Sequence, residues 1–144
     1  MGKPVGQELY ETFEHGADIG VRGYGATIEE AFSNAAKAMF SQIIVDFDQV
    51  GPEKTVDIEC EGIDYESLLV AFLNELLAQA DINRMVFCGF EISVSEFSVK
   101  GKAIGEKIDM SCHEPGVEVK GATFTMAKVE KKDSQWLAQC VVDV

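Results

Sequence analysis

The amino-acid sequence predicts a single α+β domain in which two helices pack on a mostly antiparallel β-sheet. Two segments carry apolar residues at helical spacing, and each follows a residue that caps helices well, Thr27 or Asp64. Elsewhere, apolar residues alternate with polar ones between glycine, proline or charged turn residues, as they do in strands. The length of 144 residues suits one domain, which we predict to span residues 1–144.

The chain is predicted to begin with two strands joined by a tight loop. Residues 8–14 form the first predicted strand, residues 15–18 the loop, and residues 19–24 the returning strand. Gly23 and Gly25 mark the end of the second strand, because glycine is a common residue of turns.

The first helix is predicted to start after Thr27, where Glu30 three residues later completes a capping box. The second helix is predicted from Asp64 to about residue 80. Each helix has one apolar face, which we assign to the core rather than to a partner groove. These faces consist of Ile28, Ala31, Phe32, Ala35, Ala36, Met39 and Ile43 in the first helix, and Leu68, Leu69, Phe72, Leu73, Leu76 and Leu77 in the second.

The rest of the chain is predicted to be β-structure. A turn is expected at Gly105, and a hairpin loop is expected at residues 131–134 before the last strand. The strands predicted after the first helix are residues 56–60, 85–94, 97–104, 117–129 and 136–142.

The formal net charge of −13 is the strongest signal in the composition. Free nucleic acid should be repelled by so acidic a surface, because phosphate binding requires clustered Lys and Arg. A role in RNA metabolism would therefore act through a basic protein partner or a metal ion. Acidity also serves solubility alone, and that simpler interpretation stays open.

The sequence shows neither a membrane span nor a secretory signal. No apolar run approaches the ~20 residues that a membrane helix requires. The first seven residues, from Met1 to Gln7, include no apolar core and no cleavage site. We therefore predict a cytoplasmic protein that has no membrane partner.

The four cysteines do not form a zinc or redox motif. Cys60, Cys88, Cys112 and Cys140 are widely separated, whereas such motifs place two cysteines with two residues between them. Three of them lie in strand-like apolar segments, where a cysteine usually acts as a small buried hydrophobe. Without a secretory signal, disulfide bonds are not expected.

No arrangement of residues typical of an enzyme stands out. The sequence has no glycine-rich phosphate loop, no His-Glu-x-x-His helix and no Gly-x-Ser-x-Gly turn. Its two histidines, His15 and His113, lie in loop-like stretches, where either could act as a base. Isolated histidines are more often structural or solvated, so an enzymatic function has weak support.

Acidic residues are a stronger signal, because they can bind a metal ion. Asp18 lies in the loop between two strands, whereas Asp143 and the carboxylate of Val144 lie at the end of the last strand. Hard divalent cations such as Ca²⁺ and Mg²⁺ take oxygen ligands from carboxylates, main-chain carbonyls and water. A single aspartate is more often a solvated surface residue or a cap. Two other acidic pairs would serve as well, Asp46 with Asp48 and Glu106 with Asp109.

Several segments, taken in order, resemble the archease family from residue 10 to the last residue. The opening segment, residues 10–20, ends in His-Gly-Ala-Asp-Ile-Gly, where archeases typically have His-Thr-Ala-Asp-Ile-Gly. Residues 28–40 and 68–77 resemble the two helices of that family. The other matching segments are residues 105–109 with His113, residues 118–120, and Trp136 with residues 141–144.

This resemblance implies a non-catalytic accessory protein. Archeases assist RNA ligases of the RtcB type in tRNA splicing and RNA repair. Such a ligase joins a 2′,3′-cyclic-phosphate or 3′-phosphate end to a 5′-hydroxyl, after one of its own histidines is guanylylated. The resemblance implies that the chain promotes guanylylation and repeated turnover of this partner. The acidity of the chain separately predicts that it does not bind nucleic acid directly.

The same resemblance implies a metal site formed by Asp18, Asp143 and a main-chain or terminal oxygen of Val144. Calcium is the metal expected there, with Mg²⁺ and Mn²⁺ as alternatives, because oxygen ligands suit all three. The residues expected near the partner or its nucleotide are His15, His113 and Lys120.

The chain departs from the family pattern in three places. Gly16 replaces the usual Thr and is expected to loosen the loop beside a metal ligand, and Ala71 stands where Asp is common. Residues 123–125, Thr-Phe-Thr, replace a Thr-Tyr-His stretch, so the His and the phenol are absent. If those groups contact the ligase in the family, this chain serves a divergent partner.

The sequence leaves two other functions open. One is a stand-alone metal-dependent phosphohydrolase, against which the missing base–nucleophile pair argues. The other is a chaperone-like or redox module that uses leucine-rich surfaces or the cysteines, although the cysteine spacing argues against it.

Overall fold

A computed structural model of the protein describes residues 9–144. Glu8, the first residue of the predicted first strand, lies outside the described residues. The elements in chain order are β1 (Tyr10–His15), β2 (Asp18–Gly25), α1 (Ile28–Ile43), a short 3₁₀ helix (Phe47–Gln49), β3 (Lys54–Glu61), α2 (Tyr65–Asn83), β4 (Met85–Ser95), β5 (Ser98–Lys107), β6 (Gly121–Ala122), β7 (Lys128–Lys132) and β8 (Gln135–Asp143).

The eight strands form two antiparallel sheets, whereas the sequence predicted one. The first sheet has five strands in the order β1-β2-β8-β6, and β7 joins it by pairing with β8. The second sheet has three strands in the order β3-β5-β4. Because β2 occupies one edge of β8, β6 and β7 share the other edge, with β7 at the start of β8 and β6 at its end. The predicted α+β class with antiparallel strands is confirmed.

Both helices begin where their cap residues predict. Thr27 precedes α1, and its hydroxyl accepts a hydrogen bond from the Glu30 N–H at 3.1 Å. The reciprocal bond is shifted by one residue, because the Glu30 carboxylate accepts from the N–H of Ala26. Asp64 and Ser67 form a complete capping box at the start of α2. Neither α1 nor α2, the two α-helices of residues 9–144, is long and apolar enough to cross a membrane.

One apolar core contains residues of both helices and both sheets. α1 packs on β2 and β8 and also on β4, whereas α2 packs mainly on β3. The ring of Phe40 lies 5.6 Å from that of Phe87, and the rings of Phe32 and Phe72 lie 5.7 Å apart. The predicted apolar faces are confirmed as core, and the residues of these faces that are only partly buried are Ile28, Ile43 and Leu77.

Two strand predictions are wrong in their extent. β5 runs through Gly105 to Lys107 without a turn, because Gly105 has no side chain where the carbonyl oxygen of Val86 approaches. The long strand predicted over residues 117–129 is two short strands, β6 and β7, with a loop at residues 123–127 between them. Alternation of apolar residues does not reveal where a segment leaves its partner strand.

The last hairpin has a shorter loop than predicted. Its turn residues, Asp133 and Ser134, have φ angles of 53° and 66°, both in the left-handed region. Two consecutive residues of this conformation make one of the favoured tight turns between antiparallel strands. β7 therefore extends to Lys132, and β8 begins at Gln135.

Candidate metal centre at the ends of β2 and β8

The hairpin between β1 and β2 sets the position of Asp18. His15 pairs with Asp18 across the turn, so only Gly16 and Ala17 connect the two strands. Gly16 has a φ of 60°, a conformation that glycine adopts without the steric cost of a side chain. Glycine therefore fits this tight turn, whereas the sequence predicted that it would loosen the loop.

Strand β8 brings the last two residues of the chain to Asp18. β2 and β8 are antiparallel and pair Ile19 with Val142, so Asp18 and Asp143 lie at the same end of the sheet. The main-chain N–H of Val144 donates a hydrogen bond to Oδ1 of Asp18 at 3.2 Å. Two residues that are 126 positions apart in the sequence are thus in contact.

The other edge of β8 is supported by β6 and α2. The N–H of Lys120 donates to the main-chain oxygen of Asp143 at 2.7 Å, and Gly121 pairs with Asp143. The side-chain amide of Asn74, on α2, makes two hydrogen bonds to the main chain of Ala122. These contacts hold the end of β8 in place. Sequence reasoning missed Asn74, because a polar residue on an exposed helix face carries no signal for such a contact.

The oxygen atoms at this end of the sheet suit a hard divalent cation. Among the described residues, no hydrogen bond is donated to Oδ2 of Asp18 or to either carboxylate oxygen of Asp143. Within residues 9–144, no group of three or more His, Cys, Asp or Glu is placed to hold a metal, so side chains alone do not complete a site. Two carboxylates with the main-chain oxygen of Val144 and water are a ligand set of the type that Ca²⁺ takes.

The other acidic pairs raised by the sequence differ in how many of their carboxylate oxygens accept hydrogen bonds. Asp46 accepts a main-chain hydrogen bond at 3.2 Å, next to the 3₁₀ helix that contains Asp48. Glu106 accepts from the N–H of Gly51 at 2.7 Å and also contacts a histidine ring. Asp109 accepts hydrogen bonds from the neighbouring serine. Glu106 and Asp109 are therefore poorer candidates than Asp18 and Asp143, because both carboxylate oxygens of each accept hydrogen bonds. Among the described residues, Asp46 with Asp48 leaves as many oxygens without a donor as Asp18 with Asp143. What distinguishes Asp18 and Asp143 is the contact with the main chain of Val144.

His113 lies in a separate, buried cluster. Its side chain is 4% exposed, and its Nδ1 accepts a hydrogen bond from the N–H of Asp109 at 2.8 Å. The neutral ring therefore carries its proton on Nε2, which donates to Glu106 at 2.5 Å. Because both ring nitrogens are engaged, the geometry favours a structural role for His113. His15 and Lys120 lie beside the candidate metal centre, and His113 makes no hydrogen bond to it.

The Glu106 carboxylate stabilises the fold only while it is ionised. The N–H of Gly51 and, to a smaller extent, the ring of His113 hold the pKa of Glu106 below its ordinary value of 4.5. A lowered carboxyl pKa stabilises the folded state above the unfolded-state pKa, and this contribution is lost as the pH falls through the folded-state pKa. We therefore expect Glu106→Gln to lower the free energy of unfolding more at neutral pH than in acid. Urea denaturation at both pH values measures this, and a pH-independent difference would contradict it.

All four cysteines lie within residues 9–144, where each is a free thiol. Burial in β8 raises the pKa of the Cys140 thiol to about 12, and burial raises that of Cys60 to about 11. Cys88 is half-buried, and Cys112 is exposed. Raised pKa values disfavour the thiolate that redox chemistry requires, so Cys60 and Cys140 do not support a redox module.

Comparisons with known proteins match this chain to the same family that the order of its motifs indicates. The sequence profile of the Archease protein family (MTH1598/TM1083) matches residues 10–144. The chain is 45% identical over 140 residues to protein archease of Pyrococcus furiosus, covering 94% of this chain and 98% of that protein. It is 38% identical over 139 residues to protein archease of Sulfurisphaera tokodaii, covering 95% of this chain and 99% of that protein.

Two solved structures share the fold. The solution structure of Methanobacterium thermoautotrophicum protein 1598 matches with a TM-score of 0.83 and 32% identity, covering 96% of this chain and 100% of that one. The crystal structure of an archease, possible chaperone, from Thermotoga maritima matches with a TM-score of 0.62, covering 100% of this chain and 98% of that one. At 18% identity, this second likeness concerns the fold alone.

The fold and the paired ends of β2 and β8 define the class of protein as a small antiparallel α+β protein of the architecture seen in those two structures. The match over residues 10–144 and the identity to its relatives then show that the chain belongs to the archease family.

Proposed function

We propose that this chain activates an RNA ligase of the RtcB type by holding a divalent metal ion at Asp18, Asp143 and Val144. Membership of the archease family supports the accessory, non-catalytic role. The observation that carries the proposal is the hydrogen bond from the Val144 N–H to Asp18, which brings two carboxylates and a main-chain oxygen to one end of the sheet. Calcium is the proposed metal, and Mg²⁺ and Mn²⁺ are alternatives.

The groups of this chain define what the site can do. Asp18 and Asp143 supply two negative charges, and Val144 supplies a main-chain oxygen. The tight turn at Gly16 and the pairing of β6 with β8 hold these groups in position without a partner. When bound, a divalent cation supplies positive charge that stabilises phosphate oxygens during nucleotidyl transfer on the ligase.

The acidity of the chain also suits a ligase partner. A net charge of −13 opposes the binding of free RNA. A ligase that binds RNA must itself present a basic cleft, and complementary charge accelerates and orients the association of two proteins. The proposed contact is therefore with the ligase protein rather than with its RNA.

Multiple-turnover ligation tests this function. The assay uses an RtcB-type ligase from the same genome, at a concentration far below that of RNA ends carrying a 2′,3′-cyclic phosphate and a 5′-hydroxyl. We expect several products per ligase with the chain and few without it. Equal product in both reactions would contradict the proposal, and nucleotide hydrolysis by the chain alone would favour the phosphohydrolase alternative.

Metal binding can be measured in the absence of the ligase. We expect the wild-type chain to bind about one Ca²⁺ in a calorimetric titration. Asp143→Asn should weaken this binding at least about tenfold, because it removes one of two charged ligands. Asp57→Asn is the matched control, since it removes an exposed carboxylate from the other sheet, and it should bind like the wild type. Equal affinity of wild type and Asp143→Asn would exclude Asp143 as a ligand.

A further inference from the structure

The loop at residues 123–127, between β6 and β7, exposes two large apolar side chains. Phe124 is 63% exposed and Met126 is 49% exposed. Both lie where the chain leaves the edge of β8 after β6 and returns to it in β7. Other large apolar side chains of residues 9–144 are exposed as well, but here two of them share one loop of five residues at the edge of β8.

The loop is held firmly although its side chains are exposed. The N–H and the hydroxyl of Thr123 both donate to the carbonyl oxygen of Val141, at 3.0 and 2.8 Å. The N–H of Val141 donates in return to the carbonyl oxygen of Thr125 at 3.0 Å. The amide of Gln139, a buried residue, donates to the carbonyl oxygen of Met126 at 3.0 Å. Backbone held at this many points presents Phe124 and Met126 in a defined arrangement.

Met126 adopts a backbone conformation that favours glycine. Its φ is 54°, in the left-handed region that is strained for residues with a side chain. A large apolar side chain that is both strained and exposed does not serve the stability of the folded chain. Four other described residues have similar φ angles at turns or at the end of α2, namely Arg84, Glu96, Asp133 and Ser134. At Met126 it is the combination of this conformation with an exposed apolar side chain that points to a function.

The loop lies next to the candidate metal centre. Ala122 pairs with Val142, and Thr123 bonds to Val141, so the loop begins within two residues of Asp143 along β8. A partner that contacts Asp18 and Asp143 would therefore contact Phe124 and Met126 as well, or lie close to them. An apolar anchor beside an acidic centre is the arrangement that fits an apolar pocket bordered by basic residues.

We infer that Phe124 and Met126 are the anchor by which this chain docks into an apolar pocket beside the basic cleft of its ligase. The identity of this partner rests on the proposed function. A second copy of the chain is a poor occupant, because each copy carries a net charge of −13 and the acidic centres would be brought together.

The test combines Phe124→Ala with Met126→Gly in one double variant of the full chain. Both side chains are exposed, and glycine relieves the strain at position 126, so the Tm should not fall. In the ligation assay, the concentration of the chain that gives half-maximal stimulation should rise at least about tenfold, with the maximal stimulation retained. Biolayer interferometry with immobilised ligase should show the same loss of affinity.

Ile63→Ala is the matched control. Ile63 is 85% exposed, and it lies two residues before Tyr65. Tyr65 packs on Trp136, near the start of β8, whereas Asp143 is at the end of that strand. Ile63 is therefore far from the candidate metal centre. This variant should leave the half-maximal concentration unchanged.

Each other outcome would overturn the inference. If the wild type stimulates the ligase and the double variant has the same half-maximal concentration, the docking role is wrong and the proposed function stands. Loss of maximal stimulation at an unchanged half-maximal concentration would place the loop in the chemistry rather than in docking. If the wild type sediments as a dimer and the double variant does not, Phe124 and Met126 would instead contact a second copy of the chain. A wild type that neither binds nor stimulates the ligase would overturn the proposed function together with this partner.

Discussion

Asp18→Asn is expected to remove stimulation of the ligase and to leave the fold intact. Asparagine keeps a side-chain oxygen that can accept the hydrogen bond from the Val144 N–H, now 3.2 Å from Asp18 Oδ1. The end of β8 should therefore stay in place. The substitution removes one of two carboxylate charges, on which binding of a hard divalent cation depends. Ligation in the presence of this variant should fall to about the rate of the ligase alone.

The measurement is the number of ligation products per ligase, with thermal unfolding of each variant recorded in parallel. Asp143→Asn should give the same loss, and a double variant of both residues should be no worse than either alone, because the two act in one site. Asp57→Asn, which changes the net charge by the same amount, should stimulate like the wild type. Near-normal stimulation by both single variants would exclude the metal site as the source of activation.

Gly23→Ala is expected to destabilise the fold strongly. A Cβ atom at this position would lie 2.2 Å from the nitrogen of Ala35 and 2.3 Å from the carbonyl oxygen of Ala31, both main-chain atoms of α1. Helix main chain cannot rotate away as a flexible side chain does, so α1 would have to move off β2. Overpacking of this kind costs about 1–3 kcal/mol or more. We expect the Tm to fall by roughly 3–10 °C.

Gly89→Ala is the matched control for this effect. A Cβ atom at position 89 would meet only the side chain of Ile104, at 3.9 Å, which is an ordinary contact. Its Tm should lie within about 2 °C of the wild type when both are followed by circular dichroism. Equal Tm values for Gly23→Ala and Gly89→Ala would show that α1 does not sit directly on the backbone of β2.

The helices could be predicted from the sequence because their signals are local. Thr27 and Asp64 cap α1 and α2 through bonds to residues three positions later, and the apolar spacing of each helix marks the face it buries. The strands were harder to predict, because the break between β6 and β7 depends on how β8 pairs. The sequence pattern of residues 123–127, which leave the edge of the sheet, does not distinguish them from five residues that stay paired in a strand.

The candidate site could be predicted only in part. The residues themselves indicated three acidic groupings without choosing among them, since no sequence pattern carries the strand register that joins Asp18 to Val144. Resemblance to the archeases supplied the choice, and the structure brings those residues together. Nothing in the sequence predicted that His113 would be buried between Asp109 and Glu106, because that contact depends on a loop folding back on β5.

Guanylylation of an RtcB-type ligase in the presence of this chain tests the central claim most directly. In a single-turnover reaction with labelled GTP, we predict that the rate at which the ligase histidine is labelled rises with the concentration of the wild-type chain and reaches a plateau. The rise should depend on Asp18 and Asp143. A labelling rate that is the same with and without saturating wild-type chain would contradict the account.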